Sequence, residues 1–139
     1  MKQAYQEALK AFDLGEIPVG AIVVCNNQII ARAHNQTELL KDVTAHAEMI
    51  ALTAAANAIG TKYLVECKLY VTLEPCHMCA GASFWSQIGE VIIGASDEKR
   101  GFSNFAPNLM HPKTKLTWGV MGNECGQLIN DFFQNIRNN

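Results

Sequence analysis

Two short segments constrain the fold of this chain more than any other feature: His46-Ala47-Glu48 and Pro75-Cys76-His77-Met78-Cys79. One imidazole and two thiolates are three metal ligands, and three ligands leave the fourth tetrahedral position of a Zn²⁺ ion open, as in a catalytic site. Glu48 lies two residues from the histidine, close enough to transfer protons without binding the metal. A fold that uses all of these residues must bring two distant segments together at one point.

The predicted helices place the side chains of both segments where they can bind one metal ion. His46 and Glu48 fall near the start of a helix predicted over residues 44–59, and Cys76 and Cys79 fall in the first turn of a helix predicted over 76–87. Residues i and i+3 of a helix share a face, so both sulfurs can reach one metal ion. The partial positive charge at a helix N-terminus favours thiolates over thiols. The sequence therefore predicts one Zn²⁺ per chain, held by His46, Cys76 and Cys79.

A carboxylate beside such a metal indicates hydrolysis. Zinc can lower the pKa of a bound water from about 15.7 towards about 7, which yields a nucleophile at neutral pH. Glu48 can accept the proton of that water and then donate it to the substrate, so we predict that it is the catalytic residue. The pattern H-x-E…P-C-x-x-C is the signature of zinc deaminases that act on nucleobases. A hydrolytic deaminase is therefore the leading interpretation.

Other interpretations of the same residues explain fewer of them. A closed structural zinc site, with His77 or Cys67 as fourth ligand, would place no demand on Glu48. A zinc-stabilised module that binds RNA without chemistry would not need Glu48 either. A redox pair of Cys76 and Cys79 would leave both His46 and Glu48 unexplained. Cys25, Cys67 and Cys125 bring the cysteines to five, an odd count that favours reduced, space-filling thiols over a disulfide framework.

Length and composition suggest an ordinary soluble protein. The 139 residues predict a single domain, residues 1–139, and 49% of them are hydrophobic. No apolar run is long enough to span a bilayer, and the first residues lack the order of a secretory signal, so we expect a cytoplasmic protein without membrane contact. The formal net charge of −2 provides no global attraction for a polyanion. A nucleic-acid partner would have to bind a local basic patch.

The order of predicted elements favours an α/β fold, specifically a three-layer α/β/α arrangement around a central mixed sheet of five strands. Asn26-Asn27 predicts the turn of an antiparallel hairpin, and the strand–helix–strand units should join parallel strands. We expect a long loop over residues 97–112. The predicted helices cover residues 2–14, 44–59, 76–87 and 123–137, and the predicted strands cover residues 20–25, 28–33, 68–73, 90–94 and a short segment around Leu116.

The chain resembles the cytidine deaminase-like superfamily and, within it, is most similar to the bacterial tRNA adenosine deaminases. The resemblance covers almost the whole chain, and four stretches carry it: Glu16–Ala21, Thr44–Met49, Leu73–Ala82 and Gly94–Lys99. It implies the cytidine deaminase-like fold and zinc ligation by the three residues above, with Glu48 as proton shuttle. It also implies conversion of the wobble adenosine to inosine in a tRNA anticodon stem-loop, by a homodimer.

The resemblance further implies substrate contacts outside the metal site. Asn35 matches an asparagine that contacts the target nucleoside, Pro18 and Val19 match residues of the pocket wall, and Asp97 matches an acidic residue near the RNA ribose. From residue type alone, Asn35 is equally a turn residue, and Asp97 equally caps a turn.

The loop that follows Asp97 combines cations and aromatics. Lys99 and Arg100 precede Phe102 and Phe105, and RNA loops bind to such combinations through phosphates and unstacked bases. We therefore predict Lys99 and Arg100 as substrate-binding residues. The alternative is a solvated turn whose two aromatic side chains fold into the core.

One departure from the family pattern concerns the substrate. Residues 83–87 read Ser-Phe-Trp-Ser-Gln, where many relatives have a small apolar stretch followed by histidine, serine and arginine. An aromatic pair at this place also occurs in guanine deaminases of the superfamily. The alternative function is therefore deamination of a free base or nucleoside, of guanine or cytosine type, which requires a small closed pocket instead of an open groove. The sequence assigns no catalytic role to His34, His77, His111 or Trp85, and we expect Trp85 to pack its helix against the core or a partner subunit.

Overall fold

A five-stranded sheet forms the centre of the molecule, whose computed structural model describes residues 1–138; Asn139, the last residue of the predicted domain, lies outside the described residues. The strands are β1 (Gly20–Cys25), β2 (Gln28–His34), β3 (Cys67–Leu73), β4 (Glu90–Ala95) and β5 (Lys115–Thr117). Their order in the sheet is β2-β1-β3-β4-β5. Strand β1 pairs antiparallel with β2 and β3, whereas β4 pairs parallel with β3 and β5. The predicted mixed five-stranded sheet is confirmed.

Five helices surround this sheet: α1 (Lys2–Asp13), α2 (Thr37–Leu40), α3 (Ala47–Ile59), α4 (His77–Ser86) and α5 (Gly122–Asn138). Four of them match predicted helices, but α2 was not predicted. The loop predicted over residues 97–112 contains one short 3₁₀ turn, Phe102–Asn104. Within residues 1–138, none of the helices has the length and apolar character that crossing a membrane requires.

The helix predicted from residue 44 begins three residues later than expected, and local hydrogen bonds explain the shift. His46 is extended, with φ −72° and ψ 149°, and serves as the N-cap of α3. Its N–H donates to the carbonyl of Thr44, and the carbonyl of Ala45 accepts from Gln36 N–H. These bonds hold residues 44–46 in a turn beside α2, so the helical hydrogen bonds start after His46.

The predicted hairpin forms through a two-residue turn. Asn26 and Asn27 have φ values of 53° and 63°, and two consecutive left-handed residues define the type I′ turn that suits the twist of antiparallel strands. Cys25 pairs with Gln28 across this turn. Asparagine tolerates the left-handed region better than other residues that carry a Cβ, which is why the pair marks this turn in the sequence.

Helices cover both faces of the sheet. Helices α3 and α4 lie on one face, where alternate strand residues such as Val23, Leu69 and Val91 join the main buried cluster. Helices α1 and α5 lie on the other face, where the rings of Phe12 and Phe132 meet edge-to-face at 5.9 Å. The alternation follows from the two-residue period of a strand, which sends successive side chains to opposite layers.

Helix α1 approaches the sheet closely at one glycine. A Cβ on Gly20 would overlap the backbone of Ala4 and Ala8, both completely buried on α1. The small residues on both elements therefore let the helix backbone lie directly against β1.

Strands β2, β3 and β4, like the short edge strand β5, point their carboxyl ends at the same edge of the sheet. Strands β2 and β3 are both antiparallel to β1 and therefore run the same way, and β4 is parallel to β3. Asn35, Glu74 and Ser96 follow these three strands directly. Ligands bind beyond the carboxyl ends of strands in open α/β sheets, so this edge is the expected position of a site.

Candidate functional site

The structure brings His46, Cys76 and Cys79 together as a group that could hold a metal ion, with all three ligand atoms within 4.8 Å of one another. His46 is the N-cap of α3, Cys76 is the N-cap of α4, and Cys79 lies in the first turn of α4. The Nδ1 atom of His46 is 3.7 Å from Cys76 Sγ and 3.5 Å from Cys79 Sγ. Two helix N-termini therefore converge on one point.

These distances fit a tetrahedral zinc ion. Zn–S bonds of about 2.3 Å and Zn–N bonds of about 2.0–2.1 Å, at a tetrahedral angle, place nitrogen and sulfur about 3.6 Å apart. A histidine nitrogen and two cysteine sulfurs are also the donors that zinc prefers. A zinc ion held by these three residues would keep one coordination position for another molecule.

The surroundings of the Cys76 and Cys79 thiols favour the binding of a cation. A hydrogen bond from Cys79, together with His46, lowers the pKa of Cys76 to about 3. The same hydrogen bond and burial raise the pKa of Cys79, so Cys76 ionises before Cys79. The hydrogen bond to Cys76 raises the pKa of His46. A metal ion would displace these protons, because it binds the thiolates and the neutral imidazole.

Glu48 lies beside this group without joining it. It is the second residue of α3, its side chain is only 4% exposed, and it lines the same cavity as His46 and Cys76. Burial raises its pKa to about 7. A carboxyl group that titrates near neutrality can both accept and donate a proton under physiological conditions, which is what general acid–base catalysis requires.

The residues considered as a fourth ligand lie elsewhere. Within residues 1–138 the metal-binding group contains His46, Cys76 and Cys79 and neither His77 nor Cys67. His77 is exposed, and its ring meets that of Phe105 edge-to-face at 6.3 Å. Cys67 opens β3, whose other end carries the site, and is paired with Cys25 across the sheet. The arrangement in the described residues therefore favours an open site over a closed one.

His46, Glu48 and Cys76 line a cavity of about 1010 Å³, and Cys79 is completely buried beside them. Asn35 lines this cavity and is 6% exposed. Its Nδ2 donates to the carbonyl of Ile17 at 3.2 Å, while its Oδ1 accepts no hydrogen bond from any residue that the structure describes. A buried acceptor without a partner is costly, so this oxygen is a suitable contact for a donor group of a ligand.

The residues around Pro18 divide between the cavity wall and the interior. Val19, predicted as part of the pocket wall, lines the cavity together with Ile17. Pro18, predicted for the same wall, is almost completely buried and is absent from the lining. The loop from Ile17 to Val19 therefore presents two of its three side chains to the cavity.

The segment after β4 forms the opposite wall. Asp97, Lys99 and Arg100, the residues of this segment that we expected to contact a substrate, all line the cavity. Asp97 also caps its own turn, because its Oδ1 accepts hydrogen bonds from the N–H groups of Lys99 at 3.1 Å and Arg100 at 3.0 Å. The capping and ligand-facing interpretations of Asp97 are thus compatible, and both cationic side chains are exposed at the rim.

The two aromatic residues that follow Asp97, Phe102 and Phe105, differ in burial. Phe102 is fully buried and stacks on Trp118 at 6.0 Å, so it belongs to the core and is not available to bind RNA bases. Phe105 is 66% exposed. Trp85, expected to pack against the core or a partner subunit, is 75% exposed and touches Phe84 at 5.3 Å, so it does not pack into the core.

Two parts of the cavity were missed by sequence analysis. The segment from α2 to Val43 lines one side of the rim, and the C-terminal half of α5 lines another through Ile129, Phe133 and Arg137. On α5 the buried stripe is Cys125, Leu128 and Phe132. Phe133 lies beside this stripe and is 39% exposed. An exposed aromatic residue next to the buried stripe is the signal that could have indicated a second role for α5. The rim carries both charges, with Lys41, Lys99, Arg100 and Arg137 alongside Glu38, Asp42 and Glu98.

Comparisons with known proteins agree with this geometry. The model of the MafB19-like deaminase family matches residues 1–137. A tRNA-specific adenosine deaminase of Aquifex aeolicus is 46% identical, and the alignment covers 100% of this chain and 95% of that protein. A solved structure from work on A-to-I editing by tRNA:A34 deaminases has a TM-score of 0.86 and 37% identity, covering 92% of this chain and 96% of that one.

A more distant likeness concerns the fold alone. The structure of a guanine deaminase from Nitrosomonas europaea superimposes with a TM-score of 0.81 at 23% identity, covering 93% of this chain and 80% of that one. The arrangement of helices around the sheet is therefore shared beyond the relatives with closely similar sequences.

Proposed function

This chain belongs to the MafB19-like deaminases and to the tRNA-specific adenosine deaminases, and from that membership we propose that it deaminates the wobble adenosine of a tRNA anticodon stem-loop to inosine. One observation carries the proposal: His46, Cys76 and Cys79 form a metal-binding group, and two of these ligands line a wide cavity together with the protonatable Glu48. Zinc deaminases use three metal ligands and an adjacent acid–base group to remove an amino group by hydrolysis.

The proposed metal is one Zn²⁺ per chain, held by His46, Cys76 and Cys79. When bound, the zinc supplies a Lewis acid that makes a water molecule nucleophilic at neutral pH. The ligand set, the spacing of about 3.6 Å and the two helix N-termini support this assignment.

Glu48 is the proposed proton carrier of the reaction. Its carboxylate accepts a proton from the attacking water and donates it to the ring nitrogen next to the amino-bearing carbon. It then transfers the second water proton to the amino group, which leaves as ammonia and leaves inosine behind. A pKa raised to about 7 by burial suits both directions of transfer.

The proposed substrate contacts lie on the walls of the cavity. Asn35 Oδ1 is positioned to accept a hydrogen bond from the target nucleoside, and Val19 packs beside the base with the buried Pro18 supporting that wall. On the other wall, Lys99 and Arg100 contact phosphates, and Asp97 lies near a ribose. A flexible RNA loop needs such a mixture of a base pocket and separate phosphate contacts.

The proposed assembly is a homodimer of single-domain chains, residues 1–139, in the cytoplasm. The exposed aromatic side chains of Trp85 and Phe105 support a contact between two copies. The location is inferred from the proposed substrate. Sedimentation velocity at micromolar concentration should give twice the mass of the chain.

The alternative is deamination of a free base such as guanine, favoured by the aromatic pair Phe84 and Trp85. The size of the cavity, about 1010 Å³, argues for the larger substrate, because it lies at the upper end of the range for small-molecule pockets. The four cations on its rim are also more useful to an RNA than to a neutral base.

The deciding experiment is an assay for inosine in an anticodon stem-loop RNA with a wobble adenosine. The same RNA with a wobble guanosine serves as the control, and guanine, cytosine and adenosine are tested alongside for ammonia release. Inosine in the first RNA alone supports the proposal. Ammonia from a free base, with the RNA unchanged, contradicts the RNA substrate and retains the metal site.

A further inference from the structure

Glu74 is a buried glutamate that the proposed reaction does not use. It follows β3, two residues before the ligand Cys76, and is only 4% exposed. Its Oε1 accepts a hydrogen bond from Asp97 N–H at 3.1 Å, and its Oε2 accepts from Ser103 N–H at 3.0 Å and from Ser103 Oγ–H at 2.7 Å. All three donors belong to residues 96–104, which we call the rim loop.

Backbone hydrogen bonds attach the same two segments on both sides of Glu74. The N–H of Glu74 donates to Ala95 at 2.8 Å, where β4 ends and the rim loop begins. The N–H of Phe102 donates to the carbonyl of Pro75 at 2.9 Å. The rim loop is therefore fixed to the residues that lead into the metal ligand, and the Glu74 carboxylate fills the space between them.

Gly101 provides an independent sign that the rim loop is built around this carboxylate. A Cβ on Gly101 would lie under 3.0 Å from the carboxyl carbon and both oxygens of Glu74. Its φ of −63° and ψ of 143° are accessible to any residue. The glycine is thus required by the close approach of Glu74 and not by its backbone conformation.

The rim loop carries the cations at the edge of the cavity. Glu74 fixes the backbone of Asp97, and the Asp97 carboxylate in turn accepts hydrogen bonds from the N–H groups of Lys99 and Arg100. A chain of hydrogen bonds therefore runs from the residue beside the metal ligand to the two cationic side chains. Both side chains are exposed, so their positions depend on this backbone support.

We propose that Glu74 is a positioning residue for RNA: it sets the distance between the metal-binding group and the cations that contact the RNA phosphates. A base at the metal site and phosphates at Lys99 and Arg100 can be bound together only if this distance matches the RNA loop. The inference rests on the proposed function, since it assumes an RNA substrate. The hydrogen bonds of the Glu74 carboxylate go to Asp97 and Ser103 of the rim loop, although Glu74 also lines the cavity.

The first test is the variant Glu74→Gln, with Glu66→Gln as the matched control. A glutamine keeps the volume but turns one acceptor into a donor, so it must lose hydrogen bonds to Asp97 or Ser103. Glu66 is exposed, and Glu66→Gln removes the same charge at a position away from the site. We expect Glu74→Gln to retain its zinc, to raise KM for the stem-loop RNA about 10-fold and to lower kcat less.

Binding measured without catalysis gives the more diagnostic result. The logarithm of Kd for a fluorescent stem-loop should depend less steeply on the logarithm of salt concentration in Glu74→Gln, because fewer phosphate contacts release counterions. Removal of a negative charge would by simple Coulomb attraction strengthen RNA binding, so weaker binding cannot be a charge effect. An unchanged KM and an unchanged salt slope would overturn the inference.

Gly101 permits a second test, which is informative even if Glu74→Gln folds poorly. Gly101→Ala should weaken RNA binding in the wild-type background, where its Cβ meets the carboxylate. In a Glu74→Ala background the same change should add little, because the obstructing group is gone. Equal effects in both backgrounds would overturn the inference. A wild-type protein that deaminates only free bases would overturn both this inference and the proposed function.

Discussion

Four glutamates are buried in the described part of the chain, Glu7, Glu16, Glu48 and Glu74, and their surroundings give each a different role. Glu16 accepts hydrogen bonds from backbone N–H groups of helix α2, whereas Glu74 accepts them from backbone N–H groups of the rim loop. Glu7 contacts the side chains of Lys10 and His34. Glu48 faces the cavity with a pKa raised to about 7 by burial. Residue type and burial alone therefore do not identify the catalytic carboxylate, but its partners do.

The role of Glu48 is tested by Glu48→Gln. A glutamine can neither accept the proton of the attacking water nor return it, so the rate of ammonia release should fall by a factor of about 10² to 10⁴. Zinc content, measured by atomic emission, and the melting temperature should stay close to wild type, because the three ligands are unchanged. Joint loss of zinc and folded structure would show instead that Glu48 is structural.

Glu7 should contribute to stability in acid. Burial by itself would raise its pKa, but hydrogen bonds and attraction from Lys10 and His34 outweigh burial and lower the pKa below the ordinary glutamate value of 4.5. A folded-state pKa below the unfolded value stabilises the protein above about pH 4.5, and this contribution is lost as pH falls through the folded-state pKa. The free energy of unfolding should therefore fall less steeply below pH 5 in Glu7→Gln than in wild type. Urea unfolding at several pH values measures the slopes, and equal slopes would contradict the assignment.

At the scale of elements, the short helix α2 depends on a residue from another part of the chain. Its N-cap, Gln36, makes no capping hydrogen bond with its side chain. Glu16 takes that place, since its carboxylate accepts from the N–H groups of Glu38 at 3.0 Å and Leu39 at 2.7 Å. A carboxylate at a helix N-terminus satisfies unpaired donors and complements the helix dipole. A cap supplied from twenty residues away leaves no local sequence signal, which explains why α2 was not predicted.

Glu16→Gln should therefore loosen α2 selectively. We expect a loss of about 1–3 kcal/mol in unfolding free energy, the usual cost when a buried hydrogen bond to a charged group is broken. Amide hydrogen exchange of Glu38 and Leu39 should accelerate, while amides in the centre of β3 keep their protection. Glu38→Gln, an exposed change in the same helix, is the control. Uniform acceleration across the sheet would indicate general destabilisation instead of loss of the cap.

For the molecule as a whole, local patterns predicted the central sheet and four of the five helices. The alternation of apolar residues and the Asn26-Asn27 pair identified the strands and the hairpin, because both depend only on neighbours in sequence. The metal-binding group was also predictable, since each of its two segments lies within one helical turn. His46, Cys76 and Cys79 meet because both helices begin at the same edge of the sheet.

The rest of the site depends on contacts that are distant in sequence. The position of α5 beside the cavity follows from its packing on β3 and β4, and no motif in residues 122–138 marks it. Phe102 is buried against Trp118, whereas Phe105 is exposed beside His77. This difference in burial depends on how the rim loop closes around Glu74. Neighbouring aromatics in one loop are alike in the sequence, and only tertiary packing distinguishes them.

Metal binding should stabilise the whole molecule, because the ligands come from two helices. His46 begins α3 and Cys76 begins α4, so the binding site exists only when both helices pack together. Zinc at about 1,000 times its Kd adds about 4.1 kcal/mol to the unfolding free energy. We therefore expect removal of zinc by a chelator to lower Tm by about 10 °C or more, and added zinc to restore it. Cys76→Ser/Cys79→Ser is the control whose Tm should not respond to zinc, and an equal response in both proteins would place the stabilising ion elsewhere.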